Sequence, residues 1–148
     1  MTAIPYKKLH AAASTPVRAH GGPHSDAGFD LCACKDYCLL PGETVAIETG
    51  IAIQLPRDDQ DWVWEAQVRP RSSMRKKGVV ASLGTIDAGY RGEIGCILHN
   101  LSREPYFIQV RDKVCQLVVS KKPAVVFVET TELDETERGD KRYGSSGK

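Results

Sequence analysis

WVWEAQV, residues 62–68, sets Trp62, Trp64, Ala66 and Val68 on one side of an extended chain and Val63, Glu65 and Gln67 on the other. A period of two belongs to a strand packed on one face. Short strand-like runs recur along the chain: Val45–Ile47 leading into Ile51–Ile53, then Ile94–Leu98, Tyr106–Val110, Val114–Val119 and Val125–Val128. Pro, Gly or charged turns bound them, as at Pro41-Gly42, Pro56-Arg57-Asp58-Asp59, Pro105 and Lys121-Lys122-Pro123. Repeated short strands with turn signals predict an all-β sandwich, jelly-roll or barrel-like domain. Only SSMRKK, residues 72–77, reads as helix. It follows Pro70, stops at Gly78 and offers Ser72 as N-cap, so a turn or two is expected.

The 148 residues fall within the roughly 100–200 expected of one domain. Twenty Lys+Arg against nineteen Asp+Glu leave a formal charge of +1, which argues against nucleic-acid or anionic-membrane partners. No apolar run approaches a membrane span, and none near the start resembles a signal-peptide core. An intracellular, cytoplasmic location is expected, or a nuclear one if the source is eukaryotic or viral. Five cysteines fit poorly with a closed disulfide framework. Cys32, Cys34 and Cys38 cluster, but Cys96 and Cys115 stand isolated in apolar runs. A structural zinc site wants four ligands, so free thiols in a reducing compartment are expected.

The chain divides into a β domain, residues 1–137, and a closing segment, residues 138–148. RGDKRYGSSGK is too polar and glycine-rich to hold itself in place. A frayed terminus and an arm that orders on a ligand both fit it.

Four stretches could carry chemistry. RPRSSMRKKG, residues 69–78, surrounds two serine hydroxyls with five cations ahead of a helical turn. Free backbone N–H groups and arginine forks suit an anion, although a solvated basic loop reads the same. GTIDAGYRGEIG, residues 84–95, reads as a hairpin whose tip holds Asp87 and Tyr90, with Gly89 available for positive φ. Asp87 is either an Asx-turn residue or a base beside an aromatic platform. AGFDL, residues 27–31, interrupts an apolar strand with Asp30, which needs a partner or a metal. RDKVCQL, residues 111–117, sets Gln116 as the odd polar residue of a strand. His10, His20, His24 and His99 lack zinc-ligand spacing, and no nucleotide-triphosphatase glycine loop or G-x-S-x-G elbow occurs.

In order, AGFDL, RPRSS, GTIDAGYRGEIG, RDKVCQL and RGDKRYGSSG resemble the five motifs of the trimeric deoxyuridine triphosphate nucleotidohydrolases (dUTPases), over about residues 27–147. The resemblance implies a distorted jelly-roll (β-clip) subunit, a homotrimer with sites between subunits, and Mg²⁺ on the triphosphate. The implied reaction is hydrolysis of dUTP to dUMP and pyrophosphate, which limits uracil in DNA. It implies that Asp87 activates the water and Tyr90 packs on the deoxyribose. Main chain near Gly84 and Gly95 would read uracil. Arg71, Ser72, Ser73 and Gln116 would bind phosphate, and Asp30 would meet the metal through water. Arg138, Tyr143, Gly144, Ser145 and Ser146 would form the closing arm. The chain departs from the family at Lys141, Arg142 and Tyr143, where two glycines and a phenylalanine are usual. It departs also at Arg111, usually glycine, and Ala81, often asparagine.

Two other readings compete. A dCTP deaminase shares the fold and would need an acid such as Glu93 near the base. A nucleotide-responsive binding protein would use the N-terminal stretch and the acidic segment 129–137 toward a regulatory partner. If the closing segment is an arm over the substrate, deleting residues 138–148 leaves a folded oligomer with badly impaired turnover, checked by sedimentation and pyrophosphate release.

Overall fold

The alternating run becomes the strand Trp62–Arg69, buried at Ala66 and Val68. The computed structural model describes residues 2–22, 24–57, 61–137 and 139–140. In chain order its strands are β1 (Tyr6–Lys8), β2 (Gly28–Cys32), β3 (Tyr37–Leu39), β4 (Thr44–Glu48), β5 (Ile51–Ile53) and β6 (Trp62–Arg69). One helical turn, α1 (Ser72–Arg75), precedes β7 (Val79–Ala81), β8 (Gly84–Asp87), β9 (Gly95–Asn100), β10 (Tyr106–Ile108) and β11 (Lys113–Pro123).

A four-stranded sheet, β2-β11-β6-β8, faces a three-stranded one, β4-β9-β7, with the pairs β1-β5 and β10-β3 at the margins. Every ladder is antiparallel. Leu31, Val68 and Leu117 from the first sheet share one buried cluster with Ile47, Val79 and Leu98 from the second. This is the expected all-β, jelly-roll-like class. No described helix is long and apolar enough to cross a membrane. All five cysteines are free.

The structure changes four local expectations. Trp62 is 44% exposed because β8 pairs only with Glu65–Val68, which leaves residues 62–64 in a ribbon with β11 alone. GTIDAGYRGEIG is not a hairpin: β8 joins β6, whereas β9 joins β4 and β7, so residues 88–94 carry the chain between sheets. Gly89 is accordingly not at positive φ. Arg71, rather than Ser72, is the N-cap of α1 and makes no side-chain capping bond. Val125–Val128 forms no strand, since nothing among the described residues pairs with it, and Phe127 is 101% exposed.

Two buried polar features tie the layers. Asn100 donates to the Leu39 and Glu104 carbonyls at 2.9 and 2.8 Å and accepts from Ser102. The turn after β4 is latched to the loop before β9. The Thr49 hydroxyl donates to the Ile94 carbonyl at 2.6 Å, and the Gly50 N–H donates to Glu93 Oε1 at 2.7 Å. Gly50 has φ +67°, and a Cβ there would lie 2.7 Å from that of Ala13. The position requires glycine on both counts.

Arg111 also adopts the left-handed region, φ 73°, with its N–H on the Ala33 carbonyl at 2.8 Å. A non-glycine residue there costs about 1–2 kcal/mol, partly offset by glycine's greater chain entropy. Arg111→Gly is therefore expected to stabilise the fold by roughly 0.5–1 kcal/mol in urea unfolding.

Candidate active site

In antiparallel ladders, directly opposed residues share a face. Asp30, Gln116 and Arg69 form one row across β2, β11 and β6. Two residues on, Gly28, Val118, Gln67 and Thr85 form the next, and Ser120, Glu65 and Asp87 the third. Asp30, Gln116 and Asp87 thus lie on the face of this sheet opposite Val68 and Leu117, which enter the core.

Asp30 is 1% exposed yet charged neighbours surround it. Arg71 Nε lies 3.4 Å from Oδ1 and Lys113 Nζ 2.8 Å from Oδ2. Gln116 Nε2 donates to Oδ1 at 3.4 Å. The Lys113 contact is an ion pair without hydrogen-bond alignment, which leaves Oδ2 with no hydrogen-bond donor. Arg71 is fixed a second time, since Nη1 donates to the Lys113 carbonyl at 2.9 Å. Three segments far apart in sequence therefore meet at one carboxylate.

Ser72 and Ser73 stand exposed on the turn that follows Arg71. Arg71, Ser73, Lys77, Asp112 and Lys113 line a cleft of about 420 Å³. Asp112 belongs to the turn, where it accepts the Gln109 N–H at 2.9 Å. Gln116 and Arg69 border a second cleft of about 330 Å³ with His20 and Asp26. There the His20 backbone N–H donates to the Asp26 carboxylate at 2.7 Å and holds it below the usual aspartate range.

Asp87 ends β8, exposed to solvent. Among the described residues its carboxylate takes no hydrogen bond and no ion pair, so the Asx-turn reading does not hold. The turn is closed by backbone, with the Tyr90 N–H on the Asp87 carbonyl at 3.0 Å. The Tyr90 hydroxyl donates to the Glu93 carbonyl at 2.9 Å. Arg91 Nη1 donates to the Ala88 and Tyr90 carbonyls at 2.7 and 2.8 Å. A Cβ at Gly92 would lie 2.6 Å from Tyr90 Cζ, so only glycine lets this ring lie flat on the loop. Sequence reading passed over Gly92, Lys113 and the Glu93 latch. Lys113 has a sequence signal, a cation three residues before Gln116, but its partner Asp30 lies far away in the chain. Gly84 and Gly95, at the two ends of this segment, pair with Val68 and Glu48 respectively.

The structure thus gathers Asp30, Arg71, Lys113 and Gln116 and sets Asp87 and Tyr90 apart. From the Gln116 row to the Asp87 row is four residues along β6 and two strands across. At ~3.4 Å per residue and ~4.8 Å per strand that is roughly 16 Å. Arg138, Tyr143, Gly144, Ser145 and Ser146, with Lys141 and Arg142, lie outside the described residues.

A dUTPase family profile matches residues 18–147. The deoxyuridine 5′-triphosphate nucleotidohydrolase of Corynebacterium glutamicum is 43% identical, over 100% of this chain and 97% of its own length. A mutant dUTPase of Staphylococcus bacteriophage 80alpha, solved with dUpNHpp, superposes with TM-score 0.83 at 25% identity, covering 99% of both chains. A mutant dUTPase from phage phi11 of S. aureus, described as coordinating a structural Mg(II) ion, gives 0.72 at 25% identity, over 92% of this chain and 99% of that one.

Removing one member of a buried pair typically costs ~3–5 kcal/mol. Here the cations left behind are partly exposed, with side-chain accessibilities of 26% for Arg71 and 40% for Lys113. Asp30→Asn is accordingly expected to destabilise the fold by about 2–3 kcal/mol, read from the urea midpoint at neutral pH.

Proposed function

Because the chain belongs to the dUTPase family and is a dUTP diphosphatase, hydrolysing dUTP to dUMP and pyrophosphate, we propose that Asp87 orients and deprotonates the attacking water. An exposed carboxylate with no partner among the described residues supports this reading above all. It is free to accept a proton, while backbone hydrogen bonds hold its strand end in place. Tyr90, tied to Glu93 and pressed against Gly92, supplies a flat wall for the deoxyribose that leaves no room for a 2′-hydroxyl. The main chain at Gly84 and Gly95 reads the uracil edge.

Arg71, Ser72, Ser73 and Gln116 hold the triphosphate. Asp30 presents Arg71 and Gln116 already positioned, so little reorganisation is needed as charge builds at the phosphates. Phosphoryl transfer asks for position and charge neutralisation more than for covalent chemistry. Mg²⁺ accompanying the triphosphate neutralises part of its charge. Asp30 suits a water-mediated contact with such an ion, because its buried Oδ2 lacks a hydrogen-bond donor. Lys113, the ion-pair partner of that oxygen, is the side chain that would yield. Arg138, Tyr143, Gly144, Ser145 and Ser146 close over the bound nucleotide.

Roughly 16 Å of backbone separates the Asp87 and Gln116 rows, so the base and the phosphate ligands of one chain are spread across its sheet. A homotrimer in which one copy offers Asp87 and Tyr90 and another offers Arg71 and Gln116 brings the two sets together. The bare run Val125–Val128, with exposures of 74–101%, supports the same assembly, since an apolar strand without a partner needs a neighbour. The family match favours the hydrolase over the deaminase reading, whose acid, Glu93, has one carboxylate oxygen on the Gly50 N–H.

Pyrophosphate release is expected from dUTP with Mg²⁺ and not from dTTP, dCTP or UTP. Asp87→Asn should keep affinity for a non-hydrolysable imido analogue while turnover falls about 10²–10⁴-fold. Near-normal turnover in that variant would remove Asp87 from the mechanism.

A further inference from the structure

We propose that Cys34, Glu48 and Glu93 form a binding site for a thiophilic divalent cation of the zinc class, separate from the nucleotide-binding residues. The Cys34 Sγ and one carboxylate oxygen from each glutamate all lie within 4.8 Å of one another. The three come from different places in the fold. Cys34 lies two residues beyond β2, Glu48 ends β4, and Glu93 sits in the loop that also carries Asp87 and Tyr90. Clustering of Cys32, Cys34 and Cys38 in sequence is misleading, because Cys34 leaves the β2 strand and turns toward the two acids instead.

Two observations point to a cation. Cys34 is 3% exposed, and its thiol bonds no other described residue. The only cation at the cluster among the described residues is Lys35, an exposed side chain that pairs with Glu48. Glu93 meets no cation there; Oε1 takes the Gly50 N–H and leaves the second oxygen open. Nearby, the Tyr37 hydroxyl accepts the Glu48 backbone N–H at 2.8 Å, and His10 packs against Gly50, whose N–H holds Glu93.

A thiolate with two carboxylates selects a borderline-soft ion over Mg²⁺ or Ca²⁺. Zinc sits ~2.3 Å from sulfur and about 2.1 Å from carboxylate oxygen, so the cluster need contract by only roughly an ångström. The exposed Glu48 side chain can supply that movement. Three protein ligands leave a fourth position for water. Binding forms the metal–sulfur bond and releases the thiol proton to solvent. It would cross-link the end of β4 to the loop holding Tyr90, whose hydroxyl already rests on the Glu93 carbonyl.

Cobalt(II) is the probe, because its thiolate complexes show a charge-transfer absorption that carboxylate and phosphate complexes lack. The full chain carrying Cys38→Ser, which removes the one exposed thiol, is titrated with Co²⁺ in excess Mg²⁺. One thiolate-bound cobalt per chain is expected, displaced by Zn²⁺ and accompanied by a higher melting temperature. Cys34→Ser should abolish the absorption. Glu48→Gln, at an exposed position that should not disturb folding, should weaken binding at least ~10-fold, the smallest loss seen even for outer-shell partners. No thiolate absorption, absorption that survives Cys34→Ser, or unchanged affinity in Glu48→Gln each overturns the site.

Discussion

A carboxylate buried to 1% exposure organises half of this protein. Asp30 is costly where it stands unless its charge is answered. The answer comes from Arg71 ahead of α1 and from Lys113 and Gln116 on β11. That single requirement fixes where the basic loop enters, which way the arginine fork points, and how β11 sits against β2. Arg71 and Gln116, the proposed phosphate ligands, are thus held by the same interaction that ties β2 to β11.

The other half is held by backbone and latch. Thr49 and Gly50 bind Ile94 and Glu93, so the turn after β4 anchors the loop that crosses between the sheets. Within that loop, Tyr90 and Arg91 bond to neighbouring carbonyls, and the Asp87 carboxylate has no partner among the described residues. A loop tied down by these bonds, with one exposed acid at its start, fits the proposed proton abstraction. Arg111 shows the same economy in reverse. It keeps a left-handed turn, and the hydrogen bond to Ala33, at a steric cost glycine would not incur.

The period-two run at residues 62–68 and the turn punctuation made the all-β class legible before any coordinates, because strand burial writes itself into neighbouring residues. The order of the five motifs made the family legible for a similar reason: each motif is local. What failed were readings in which the partner of a segment had to be guessed. GTIDAGYRGEIG looked like a hairpin, but β8 and β9 join different sheets. Val125–Val128 looked like a strand, but a strand needs a second strand to bond to.

Sequence alone determined the class of fold and the family, since these follow from residue type and short-range spacing. Tertiary structure decided which side chains meet. Asp30 finds Lys113 across 83 positions, Cys34 turns from the other cysteines to Glu48 and Glu93, and Asp87 ends roughly 16 Å from Gln116. Those pairings depend on strand register and sheet order. A chain's local pattern does not encode them, because burial specifies which face a residue takes and not which residue it will face.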